Sequence, residues 1–100
     1  MDLLYIIKSA RSVFGLKSGE IKIIQYLAEK GGGLVKEIAA NIHKSDRLVR
    51  KYLKHLTAIG FVTKKVVVTG NKKLAYLYTL SPEIGKIVKR KLKELSEAIS

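Results

Sequence analysis

Between Asp2 and Phe14 the apolar residues Leu3, Leu4, Ile6, Ile7, Ala10, Val13 and Phe14 return every three or four positions, and Gly15 follows. That spacing predicts a helix with a stop signal behind it. The same period predicts a second helix from Ser18, read as its N-cap, to Lys30, with Ile21, Ile23 or Ile24, Leu27 and Ala28 turned inward. The glycines Gly31 to Gly33 end it. Leu34 to Ile42 carries Val35, Ile38, Ala39 and Ile42 on one stripe, a short third helix, and Asn41-Ile42-His43-Lys44 reads as the turn that follows. A fourth helix spans roughly Ser45 to Ile59, with Ser45 as N-cap, Asp46 at the positive end of the dipole and Gly60 as its stop.

Beyond Gly60 the period changes. Phe61 to Thr69 is rich in β-branched residues and Leu74 to Leu80 alternates, so both read as strands. Gly70-Asn71 between them is a two-residue hairpin signal, because both residues tolerate positive backbone angles, and it puts Lys72 and Lys73 at the hairpin tip. Ser81-Pro82 then opens a last helix, in which Val88, Leu92, Leu95 and Ile99 recur at heptad spacing. Two short helices joined by a tight turn make a helix-turn-helix. The expected fold is mainly α with a β-hairpin wing: one winged helix-turn-helix domain over residues 1–100, with extra helices at 1–14 and 82–100.

Charge gives this frame a direction. The chain carries 20 Lys and Arg against 8 Asp and Glu, a formal charge of +12, which favours a polyanionic partner. From Lys44 to Lys73 there are nine basic residues and a single acid, Asp46, so this stretch holds +8 of that charge. On the fourth helix Ser45, Val49, Tyr52, Leu53 and Leu56 cluster on one side while Arg47, Arg50, Lys51 and Lys54 point to the other. A helix pinned by one face and cationic on the other suits the major groove, where Arg pairs with guanine and Lys neutralises phosphate. Lys44, Lys64, Lys65, Lys72 and Lys73 would extend the contact to the backbone or minor groove. Lys64 and Lys65 read equally well as protection of an exposed strand edge.

Several classes fall away. With no cysteine, disulfides, thiolate metal sites and cysteine nucleophiles are excluded. His43 and His55 are the only histidines and lack a matching cluster, so no metal is expected. The carboxylates form no paired constellation and Gly31-Gly32-Gly33 lacks the Lys-Ser/Thr of a phosphate loop, so no catalytic residue, no cofactor and no enzyme is expected. Tyr76 and Tyr78 alternate toward one face of the hairpin and read as core residues. No apolar run approaches the ~18 residues a membrane span needs, and the start of the chain lacks a secretory layout. The expected location is the cytoplasm, on the nucleoid.

Gly15-Leu16-Lys17-Ser18, Val35-Lys36-Glu37-Ile38-Ala39, Ser45 through Leu56 and Gly60-Phe61-Val62 together resemble the winged-helix domain of prokaryotic, especially archaeal, MarR-like and TrmB-like transcriptional regulators. Tyr78 through Gly85 looks like that family's end of wing and start of the next helix. The resemblance covers most of Leu16 to Gly85. It implies that Ser45, Asp46, Arg47, Arg50 and Lys51 occupy groove-facing positions and that Val49, Leu53 and Leu56 occupy core positions. Asp46 departs from what phosphate favours, and either accepts from cytosine or stabilises the helix start. The effector domain of the larger TrmB-like proteins would need more chain than remains, which argues against a small-molecule effector.

The first and last helices lie outside the helix-turn-helix, and a seam of Leu3, Leu4, Ile7, Val88, Leu92, Leu95 and Ile99 is expected to pair two copies of the chain. The basic run Lys89-Arg90-Lys91 with Lys93 is either a solvated flank of that seam or an auxiliary phosphate contact. The leading expectation is a homodimeric regulator that binds specific double-stranded DNA. The alternatives are an architectural nucleoid or chromatin protein of low specificity and a winged-helix protein-docking module.

Overall fold

The computed structural model describes residues 11–99, with side chains from 11 to 97. The first helix as far as Ala10, and with it Leu3, Leu4 and Ile7, lies outside the described residues, as does the side chain of Ile99. The elements are α1 (Arg11–Phe14), α2 (Ser18–Lys30), α3 (Val35–Ile42), α4 (Asp46–Ala58), β1 (Val62–Val68), β2 (Leu74–Leu80) and α5 (Ile84–Ile99).

Three helices enclose the core, and each contributes one face. Ile21, Ile23, Ile24 and Leu27 of α2, Ile38, Ala39 and Ile42 of α3, and Val49, Leu53 and Leu56 of α4 are all buried. Ala28 is exposed, not turned inward as its spacing suggested. Both neighbouring isoleucines of α2, Ile23 and Ile24, are buried, so its apolar face is already filled one turn earlier. Phe61 and Val62 close the core beneath α4, and the Phe61 ring meets Phe14 of α1 at a centroid distance of 4.8 Å.

The helix ends follow from backbone hydrogen bonding. The N-cap of α2 is Lys17 rather than Ser18, because the carboxylate of Glu20 reaches back to accept from the Lys17 N–H at 2.9 Å. Glu37 does the same for the Leu34 N–H at 2.8 Å, which makes Leu34 the cap of α3. Each is the acidic half of a capping box. Between α3 and α4 the turn is only three residues long: His43 takes a left-handed conformation (φ 58°), the Lys44 N–H returns to the Ala39 carbonyl at 3.1 Å, and the Ser45 hydroxyl caps α4 by accepting from the Leu48 N–H at 3.1 Å. Gly60 (φ 84°) stops α4 as expected, and the Phe61 N–H closes on the Leu56 carbonyl at 2.9 Å.

β1 and β2 form an antiparallel ribbon registered from Val62↔Leu80 to Val68↔Leu74. A third strand position joins it. Gly33 exchanges both backbone hydrogen bonds with Tyr78, at 3.0 and 2.9 Å, so the last glycine of the run is part of the sheet and not only a helix stop. Its closeness is required, since a Cβ there would fall 2.7 Å from the Tyr26 ring. The hairpin loop differs from the sequence expectation. Thr69 accepts from the Lys72 N–H and donates to the Lys73 carbonyl, both at 2.9 Å, so the loop is Gly70-Asn71-Lys72. The positive angle falls on Lys72 (φ 58°), not on Gly70 or Asn71. A three-residue loop closed by a left-handed residue matches the twist of the strands as well as a two-residue one does.

α5 begins at Ile84, two residues after Pro82. Ser81 still organises the start, accepting from the Glu83 N–H at 3.1 Å through its hydroxyl. The expected seam divides here. Val88 is completely buried in the chain's own core together with Ile84, which removes it from any surface that pairs two copies, whereas Leu92 and Leu95 are exposed. Ile87 stands over Gly60, whose Cβ would fall 3.1 Å from Ile87 Cδ1, and the apolar side of the first two turns of α5 faces inward through Ile84 and Val88. This arrangement, a helix-turn-helix followed by a hairpin wing, is the winged-helix fold.

Candidate nucleic-acid interface

The outward side of α4 is set by its inward side. Val49, Leu53 and Leu56 are held in the core, and at 3.6 residues per turn this forces Arg47, Arg50, Lys51 and Lys54 outward, where all four are exposed. They form two rows. Arg50 and Lys54, one turn apart, face the wing, while Arg47 and Lys51 lie on the next row around the helix. Asp46 is half-buried in the first turn, where it favours the helix dipole. The Ser45 oxygen is engaged as a cap, which leaves its O–H free to donate.

The wing presents two different faces because strand residues alternate. Lys64 pairs across the ribbon with Tyr78 and Lys65 with Leu77, so the two lysines project to opposite sides. Lys64 stands on the α4 side, with its ammonium 4.5 Å from the centre of the Tyr76 ring. Lys72 and Lys73 are exposed at the loop, as expected. Tyr78 is buried as the sequence suggested, but Tyr76 is exposed, because it sits one pair further out along the ribbon than the core reaches.

Between α4 and the wing lies an open cleft of about 910 Å³. It brings together Arg50, Lys54, Lys64 and Lys73 of the expected site and adds Lys36 of α3. Lys44, Arg47, Lys51, Lys65 and Lys72 do not border it. Lys36 escaped the sequence reading because it is separated from the basic stretch by the core residues of α3. Its outward position next to Val35 was nevertheless readable from the stripe. Among the described residues no carboxylate pairs with these cations. The ion pairs Glu20–His55 and Glu83–Lys86 lie elsewhere. No group of three or more His, Cys, Asp or Glu that could hold a metal occurs among the described residues, and no helix there is long and apolar enough to cross a membrane.

No family model and no curated protein matches the sequence. Solved structures do resemble the fold. A possible transcriptional regulator from Methanosarcina mazei Go1 superposes with a TM-score of 0.79 at 11% identity, over 99% of this chain and 83% of that one. A protein of the thermoacidophilic archaeon Sulfolobus tokodaii gives 0.75 at 19% identity, over 97% and 98%. ZitR of Lactococcus lactis, in complex with DNA, gives 0.59 at 22% identity, over 83% of this chain and 60% of its own. At these identities the likeness concerns the fold, which is that of MarR-like regulators.

Proposed function

We propose that the protein is a sequence-specific regulator of transcription that binds double-stranded DNA, with α4 in the major groove and the wing along the backbone. The observation that carries this reading is the row of cations on α4 and the facing wing surface, unpaired among the described residues and held outward by a core that fixes the helix. Arg47 and Arg50, near the N-terminus of α4, read base edges, while Lys44, Lys51, Lys54, Lys64, Lys65, Lys72 and Lys73 neutralise phosphate. The structural likeness to a regulator solved with DNA supports the same assignment. Leu92 and Leu95 supply the part of α5 that pairs two copies, which would set two recognition helices about 34 Å apart on a pseudo-palindrome. Such a protein works in the cytoplasm and needs neither metal nor catalytic residue.

The test is retention of fragmented genomic DNA by the purified chain at a stated salt near physiological, followed by sequencing. A few enriched fragments sharing an inverted repeat are expected. Uniform retention would instead indicate an architectural protein, and no retention would leave protein docking as the reading. On the enriched site, Arg50→Ala should cost about 1–3 kcal/mol and relax specificity at one position. Lys64→Ala should weaken binding to all sequences alike and lower the salt slope by about one.

A further inference from the structure

The outer end of the wing is apolar where the surface around it is cationic. Val66 pairs with Tyr76 and Val68 with Leu74, so these four side chains share the ribbon face that carries Lys64 and Tyr78. All four are exposed, and increasingly so toward the tip, from 47% at Tyr76 to 68% at Val68 and 74% at Leu74. The Lys64 ammonium lies 4.5 Å from the centre of the Tyr76 ring, whereas Val68 and Leu74 are the last pair of the ribbon before its loop. Phosphate is bound by cations and hydrogen-bond donors, and an aliphatic pair offers it neither. An exposed apolar patch on a ribbon is an aggregation hazard unless something covers it.

The neighbours of this pair identify its occupant. Lys72 and Lys73 adjoin it, Lys64 stands further down the same face, and the sequence holds no acid between Asp46 and Glu83. The pair is thus continuous with the surface assigned above to DNA. The apolar surface that a minor groove offers is its sugar walls and, once a base step is opened, the faces of the bases. We propose that Val68 and Leu74 form a wedge that enters the minor groove and opens a base step, so that the wing kinks the DNA it holds. This rests on the DNA-binding reading and adds a deformation to it. Leu74 lies four steps of β2 beyond the buried Tyr78, about 13 Å along the strand. That is comparable with the half turn of DNA, about 17 Å, between one groove and the next. Burial of the wedge offsets the unstacking, while Lys72 and Lys73 hold the flanking phosphates. Pyrimidine–purine steps unstack most easily, so the wedge selects such a step without reading any base edge.

Energy transfer between dyes at the two ends of a short duplex, with 2-aminopurine beside the step, tests the wedge. The duplex is the fragment enriched from genomic DNA or, where retention is uniform, mixed sequence with a central TA step. The wild type is expected to bend it by about 20–90° and to raise the 2-aminopurine fluorescence. Val68→Ser with Leu74→Ser should abolish both signals, with unchanged circular dichroism because both side chains are exposed. Affinity should change by less than about tenfold and the salt slope not at all, since lost burial and avoided unstacking offset one another and no phosphate contact is removed. Leu74→Met should keep the bend, and Lys73→Ala should keep it while lowering the salt slope by about one. Straight DNA under saturating protein, or a bend that survives the two serines, would overturn the wedge and leave the DNA-binding reading intact. Failure to bind any duplex would remove both. Association of free chains that the two serines abolish would give this face to a second copy and overturn the proposal as well.

Discussion

Glu20 and His55, 35 residues apart in the chain, meet at 2.5 Å through Oε2 and Nδ1 and tie the first turn of α2 to the last turn of α4. The Glu20 side chain is 98% removed from solvent, and its other oxygen is already committed to the Lys17 N–H. A buried carboxylate is tolerated only when both oxygens are satisfied.

Removing the histidine should therefore cost more than its half-exposed position suggests. His55→Ala leaves one buried oxygen without a donor, a penalty of about 1–3 kcal/mol. Urea denaturation should show it, and in the Glu20→Ala background the same change should cost at least ~1 kcal/mol less, the sign of direct coupling. Additive costs would mean that the pair contributes nothing.

Gly19 sets how closely α2 approaches α4. A Cβ at this position would stand 2.4 Å from Cε2 of the Tyr52 ring. Helix propensity alone favours alanine by about 1 kcal/mol, but overpacking against a stiff ring costs about 1–3 kcal/mol. Gly19→Ala should thus lower the Tm, and Gly19→Ala with Tyr52→Ala should be more stable than the sum of the two single changes predicts.

The wing loop offers the opposite sign. Lys72 holds a left-handed backbone without being glycine, at a cost of about 1–2 kcal/mol, part of which glycine would return to chain entropy. Lys72→Gly should raise stability by about 0.5–1 kcal/mol, measured by denaturant midpoint. Lys73→Gly, in the hairpin register opposite Thr69, should not.

Tyr26 packs against Gly33 near the sheet. Loss of solvent pushes its phenol above the usual tyrosine value, and the charge of Glu37 adds to the shift. Below that usual value, about 10, both folded and unfolded forms are neutral and the group has no effect on stability. Above it the unfolded chain loses its proton first, so stability should fall as the pH rises, until the folded form also ionises. Tyr26→Phe should flatten this alkaline part of the stability curve relative to the wild type.

The proposed pairing of copies rests on α5. Leu92→Lys places a charge on the exposed half of the seam, and sedimentation should find a monomer with most specific DNA binding lost. An unchanged dimer would place the interface elsewhere.

The order of helices, the turn between α3 and α4, the cap at Ser45, the stop at Gly60 and the cationic side of α4 were all legible along the chain. Each depends on residues within about one helical turn of one another, and periodicity reports that range directly. The wing's existence was legible for the same reason, although its loop was not, because a left-handed angle on lysine contradicts local preference and is imposed by strand twist. What only the tertiary structure decided are the meetings of distant residues: Gly33 with Tyr78, Glu20 with His55, Val88 with the core, and Lys36 with Arg50 and the wing. A repeat of apolar residues tells which face is buried but not against what. The seam therefore looked continuous until packing claimed Val88, and the cleft appears only where α3, α4 and the wing are brought together in space.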